Sequence, residues 1–172
     1  MNSMSPSKTD RKRFLIKACS LLAIVIVLGS WFGNRFYIGI DGQEYKCLPF
    51  TLFIVDTHQR DIKRGQYFSY TARGMEPAVK NGDTALKKAA GVAGDKVVIG
   101  AKETLVNGVA QPNGVLHHLG KLDHLTLDNL AKTLEVGDKE WFAMGTEPSS
   151  FDSRYWGTVK EDQIQGRAYP IF

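Results

Sequence analysis

Three short stretches carry residue types that do chemistry. The first is Cys47-Leu48-Pro49, continued by Phe50-Thr51-Leu52-Phe53. A thiol just before a rigid proline turn is presented as a nucleophile, with its own backbone N–H able to face a developing oxyanion. The second is Leu86-Lys87-Lys88-Ala89-Ala90-Gly91-Val92-Ala93-Gly94-Asp95-Lys96-Val97. Lys87, flanked by Leu86 and Ala89, sits where an apolar strand would hold an amine out of water and turn it into a general base. The third runs from Met144 to Gly157 and packs hydroxyls, an acid and a base into one turn. In it Asp152 and Arg154 are spaced to pair, and Ser150 or Ser153 to orient a nearby amine.

Each stretch also has a plainer reading. Cys47 fits a free cysteine in a turn, Lys87-Lys88 a solvated pair before a glycine turn, and the run from Met144 to Gly157 a polar loop held by Asx and serine turns. Their order is what favours chemistry. Cys47 stands forty residues before Lys87, and the Asp-Ser-Arg turn follows. Lys88 is then the solvated neighbour.

The elements that must position these groups begin with an anchor. The net charge of +4 is gathered in the first twenty residues, where Lys8, Arg11, Lys12, Arg13 and Lys17 face only Asp10. The remainder is close to neutral, which excludes an extended basic surface for nucleic acid. Residues 14–33 then form a twenty-residue apolar run with one charge, Lys17. That length matches a hydrocarbon core of roughly 30 Å. Trp31, Phe32, Phe36 and Tyr37 supply an aromatic belt. The expected organisation is a cytoplasmic basic tail (1–13), a transmembrane anchor (14–33) and an extracytoplasmic domain (35–172). Gly29-Ser30-Trp31 matches a small-x-small cleavage pattern poorly, so a retained anchor is expected over a cleaved signal peptide. Cys19 falls in the anchor and Cys47 beyond it, so the two should not pair.

Past the anchor the helical period gives way to strands: 37–40, 52–55, 66–70, 96–99 and 104–106 are rich in aromatic and β-branched residues. Asn107-Gly108 marks a hairpin returning through Val109-Ala110. Leu127, Leu130, Ala131 and Leu134 fall at helical spacing and predict a short helix. Strands are expected again at 140–144 and 163–171. His117, His118 and His124, with Asp123, lack a paired ligand spacing, so no metal site is expected.

Together the three stretches resemble the type I signal peptidase family, whose motifs run Ser-Met-x-Pro, Lys-Arg-x-x-Gly-x-Pro-Gly-Asp and Gly-Asp-Asn…Asp-Ser-Arg. Lys87 to Asp95 resembles the second, with Ala93 in place of proline. Ser150-Phe151-Asp152-Ser153-Arg154-Tyr155-Trp156-Gly157 resembles the third. Gly74-Met75-Glu76-Pro77 competes for the first but lies only thirteen residues before Lys87 and offers no nucleophile, so Cys47 is taken. Within the family the boxes look most like the TraF-type peptidases of conjugative transfer. Cys47 stands where those enzymes have serine, and Tyr45 where signal peptidases often place a small hydroxyl.

The resemblance implies a mainly β, signal-peptidase-like domain on a single N-terminal transmembrane helix. It implies a single-pass protein of the bacterial inner membrane, its catalytic domain periplasmic, with the lipid bilayer and a propilin or other exported precursor as partners. Cys47 and Lys87 would be catalytic, Ser150 would position the amine, Asp152, Ser153 and Arg154 would brace the turn, and no cofactor would be needed. A thioester reacts comparatively well with amines, which suits joining the ends of a pilin into a circle as well as cutting it. A general type I signal peptidase and a catalytically silent pilus-assembly scaffold are the other two functions that fit.

Overall fold

The computed structural model describes residues 8–42 and 46–172, with Lys8 and Asp10 described by backbone alone. The first seven residues of the basic tail and Tyr45 therefore lie outside the described residues. By its contacts the chain divides into two units, one ending at Phe36 and one beginning at Tyr37.

The first unit is built on helix α1, Lys8–Arg35. Within it, Arg11–Arg35 is long and apolar enough to cross a membrane, and its apolar side chains are exposed. By length and composition it is a candidate membrane span. The Phe32 and Phe36 rings stack at 5.0 Å at its end.

The second unit is mainly β. Seven strands form one sheet in the order β1-β2-β11-β3-β4-β9-β10: Phe36–Ile40, Leu52–Asp56, Ile164–Pro170, Tyr67–Thr71, Thr84–Val92, Glu140–Met144 and Val159–Lys160. Four more form a second sheet in the order β7-β6-β5-β8: Val109–Ala110, Thr104–Val106, Lys96–Ile99 and Lys132–Glu135. Phe68, Tyr70, Ala85, Ala89, Ala143 and Val159 meet on one face of the large sheet, and Val97, Ile99, Val106, Val136 and Phe142 fill a core against the small one. Period-2 alternation produces these faces, because successive side chains of a strand leave on opposite sides.

Two expectations need correcting. The helix expected through Leu134 is a single turn, α2 (Leu127–Leu130), and the chain then becomes β8. Leu134 pairs with Val97 instead, because β5 takes a partner on each side and the ladder outweighs a short amphipathic period. Nor does a turn follow the lysine pair directly. Strand β4 continues through Gly91, where a Cβ would stand 3.1 Å from that of Phe142, and reverses at Gly94 (φ +81°). Asp95 locks that reversal by accepting from the Val92 N–H at 2.8 Å and from Asn107 at 2.8 Å, and it pairs with Arg64.

Candidate active site

Lys87 sits in the middle of β4, with Ala85 and Ala89 on the same face. That face is the buried one, so Lys87 is 6% exposed while Lys88, pointing the other way, is half-buried. No described residue pairs with or hydrogen-bonds the Lys87 amine. Across the sheet, β4 lies between β3 and β9, with Lys87 opposite Phe68 and Lys88 opposite Met144. Continued by one residue, that second register sets Gly145 opposite Lys87.

The third stretch is a clamp around the end of β9. Asp152 caps the single turn α3 (Ser153–Trp156) and accepts the Gly145 N–H at 3.0 Å. Arg154 grips the same carboxylate with two parallel bonds of 2.7 Å. Its remaining N–H groups reach the carbonyls of Asn113 and Val115, both at 2.6 Å, and Ser150 at 3.1 Å. The Ser153 hydroxyl accepts from the Ala143 N–H at 2.9 Å. Ser150, Asp152, Ser153 and Arg154 are all fully buried. Burial alone would weaken the guanidinium charge, but Asp152, with smaller help from Tyr155 and Cys47, outweighs it and raises the Arg154 pKa.

Cys47 is tied to this clamp through its backbone. Its carbonyl accepts the N–H of Thr146 at 2.9 Å and of Glu147 at 3.3 Å. Leu48 is 1% exposed and packs with Phe53, Val55 and Ala168, which pins the following residue to the sheet. The thiol is half-buried and, together with Lys87, lines a cavity of about 830 Å³. Ala78, Ala85, His118 and Phe151 line it too. No direct hydrogen bond joins the Cys47 sulfur to the Lys87 amine. Such bonds are often long before substrate tightens a site. The Ser150 hydroxyl is buried without a partner, so it is not bonded to the lysine in this state either.

A family model described as signal peptidase, peptidase S26, matches residues 2–172. The chain belongs to that family. The signal peptidase family is one of proteases that act on exported precursor proteins. Among solved structures the chain is similar to a signal peptidase I from Enterococcus faecalis V583, at 22% identity and a TM-score of 0.41, over 63% of this chain and 97% of that one. A search of curated proteins finds no match.

Sequence reasoning missed two residues at this signal peptidase-family site. His118, weighed only as a metal ligand, lies on the cavity wall, its ring nitrogen 2.8 Å from the Ser149 carbonyl and its ring edge-on to Phe151 and Tyr155. Nothing local signals this, since the excursion from 111 to 126 is irregular. Tyr70 carries no signal beyond that of a strand residue, and it shares the core face with Phe68 two positions before it. Among the described residues no three of His, Cys, Asp and Glu cluster around a possible ion.

Proposed function

We propose that this chain is the membrane-anchored precursor peptidase of a conjugative transfer (type IV secretion) system, cleaving propilin and joining its new ends through Cys47 and Lys87. The observation that supports it best is the convergence of a half-buried thiol and a buried amine on one cavity, at the end of a strand clamped by Asp152 and Arg154. The basic residues in the first turns of α1, Lys8 to Lys17, favour an orientation with the second unit in the periplasm.

In this reading the sulfur of Cys47 attacks the scissile carbonyl carbon as its proton passes to the Lys87 nitrogen. Negative charge gathers on the carbonyl oxygen, where the Cys47 N–H donates to it. Collapse breaks the C–N bond, and the lysine proton leaves with the amine. The resulting thioester carries the precursor's acyl group. Water resolves it to a carboxylate, while an amine resolves it to a new peptide bond, in each case releasing the thiol. Ser150 orients the lysine, and Asp152, Ser153 and Arg154 hold the loop that carries it.

Mass spectrometry of the pilin from cells carrying Cys47→Ala tests the assignment. Precursor should accumulate uncut, and unchanged maturation would remove Cys47 from the mechanism. The second reading, a general signal peptidase, is favoured by the family itself. It is told apart by a secretion defect in proteins unrelated to conjugation.

A further inference from the structure

Among the buried polar groups to which the mechanism gives no task is the Tyr70 hydroxyl. Tyr70 is fully buried, and its hydroxyl has no hydrogen-bond partner among the described residues. A buried hydroxyl left without a partner opposes folding, so it marks either strain or a function. Its ring is held on two sides, 5.2 Å from Phe68 and 6.0 Å from Trp156.

Its place in the sheet suggests the function. Tyr70 pairs with Ala85, and Phe68 with Lys87. Tyr70 and Lys87 are thus diagonal cross-strand neighbours on one buried face. Such positions stand roughly 7–8 Å apart, within reach of an aromatic and a long side chain. On the opposite side of β4, the register brings Gly145 against Lys87. A Cβ on Gly145 would overlap the Ser150 hydroxyl, which like those of Tyr70 and Thr146 is buried without a partner among the described residues. The lysine therefore has an unsatisfied oxygen to each side, that of Tyr70 on β3 and that of Ser150 in the turn beyond β9.

A neutral amine has two N–H groups and a lone pair, and an ammonium has three N–H groups. Two oxygen acceptors satisfy two N–H groups in either state and leave the third position for the proton exchanged with a thiol. We propose that Tyr70 is a positioning residue: its hydroxyl and that of Ser150 hold the Lys87 amine from two sides with its third position aimed at Cys47. This rests on the Cys47–Lys87 reading. Burial, with smaller contributions from Asp152 and Cys47, raises the Tyr70 pKa well above 10.0, so the phenol stays neutral and remains an acceptor for the amine.

The test uses the full chain in detergent micelles with iodoacetamide as the probe. Alkylation of Cys47 is followed against pH by peptide mass spectrometry, which separates it from Cys19. Tyr70→Phe removes an oxygen that no described residue bonds, so its melting temperature should not fall. Alkylation at neutral pH should slow by about three- to tenfold, and the midpoint of the profile should move up, as for the loss of one hydrogen bond. Ser150→Ala should do the same. A Tyr70→Phe profile that superimposes on the parent while Lys87→Ala shifts it would overturn the role of Tyr70 alone. If Lys87→Ala also leaves the profile in place, the dyad fails, and Tyr70 with it. Should Tyr70→Phe fold poorly, 3-fluorotyrosine at position 70 serves instead: it keeps the ring, weakens the acceptor and should move the midpoint up by less. No movement there overturns the proposal.

Discussion

Gly145 leaves open the space into which the Ser150 hydroxyl fits, and a Cβ there would also stand 2.6 Å from the Cys47 carbonyl oxygen. The segment carrying the thiol, the strand end opposite Lys87 and the Ser-x-Asp-Ser-Arg turn therefore meet over one missing side chain. Gly145→Ala is expected to lose about 1–3 kcal/mol of stability, the usual range for overpacking. Urea titration of the full chain in micelles would measure it. A midpoint equal to the parent's would show that the loops open without cost.

Lys87 is buried and its amine has no partner among the described residues. Burial of such a group opposes folding, and methionine fills similar volume without the polar end. Lys87→Met should therefore raise the melting temperature by a few degrees, equivalent to about 1 kcal/mol, while precursor cleavage is lost. Retained cleavage would contradict the proposed base.

The Asp152–Arg154 pair is fully buried, with five further bonds from its atoms to the surrounding backbone. Arg154→Met strands a buried carboxylate and should cost about 3–5 kcal/mol. Arg154→Lys should recover little, since an ammonium cannot span Asp152 and the two carbonyls at 113 and 115 as the planar fork does. Limited proteolysis would report this as cleavage between 111 and 126, and an intact Arg154→Lys protein would contradict it.

Asp95 gives a pH dependence. Burial disfavours its charge, but the Val92 N–H, Asn107 and Arg64 outweigh that and hold its pKa below 3.8. The unfolded chain binds this proton more readily, so the stabilisation is complete above pH 3.8 and fades as pH falls through the lower folded value. Asp95→Asn should be less stable near neutral pH and show a flatter acid limb in melting temperature against pH. Parallel acid limbs would place the transition elsewhere.

Much of the fold was legible because its signals are local. Leu52 to Val55, Lys96 to Ile99 and Glu140 to Met144 carry β-branched or aromatic residues, and each is a strand. The run from 127 to 134 was not legible, since a helical period of four residues cannot reveal that β5 needs a second partner. Residues Val159 and Lys160 form a strand too short to show any period.

What the sequence by itself determined is the kind of protein: a long apolar helix with a basic start, a β-rich remainder, and three boxes whose residue types and order mark the signal peptidase family. Composition and spacing along the chain suffice for these. The boxes point to Lys87 over Lys88, but only the tertiary structure shows that Lys87 is the buried one. Lys87 and Lys88 are chemically alike, and the face of β4 covered by core depends on strands contributed from before and after it. Only the structure, too, brought Tyr70 to one side of Lys87 and Gly145 with Ser150 to the other. Those neighbours lie up to 63 residues apart in sequence. The order of strands in the sheet sets their distance, and no local pattern encodes that order.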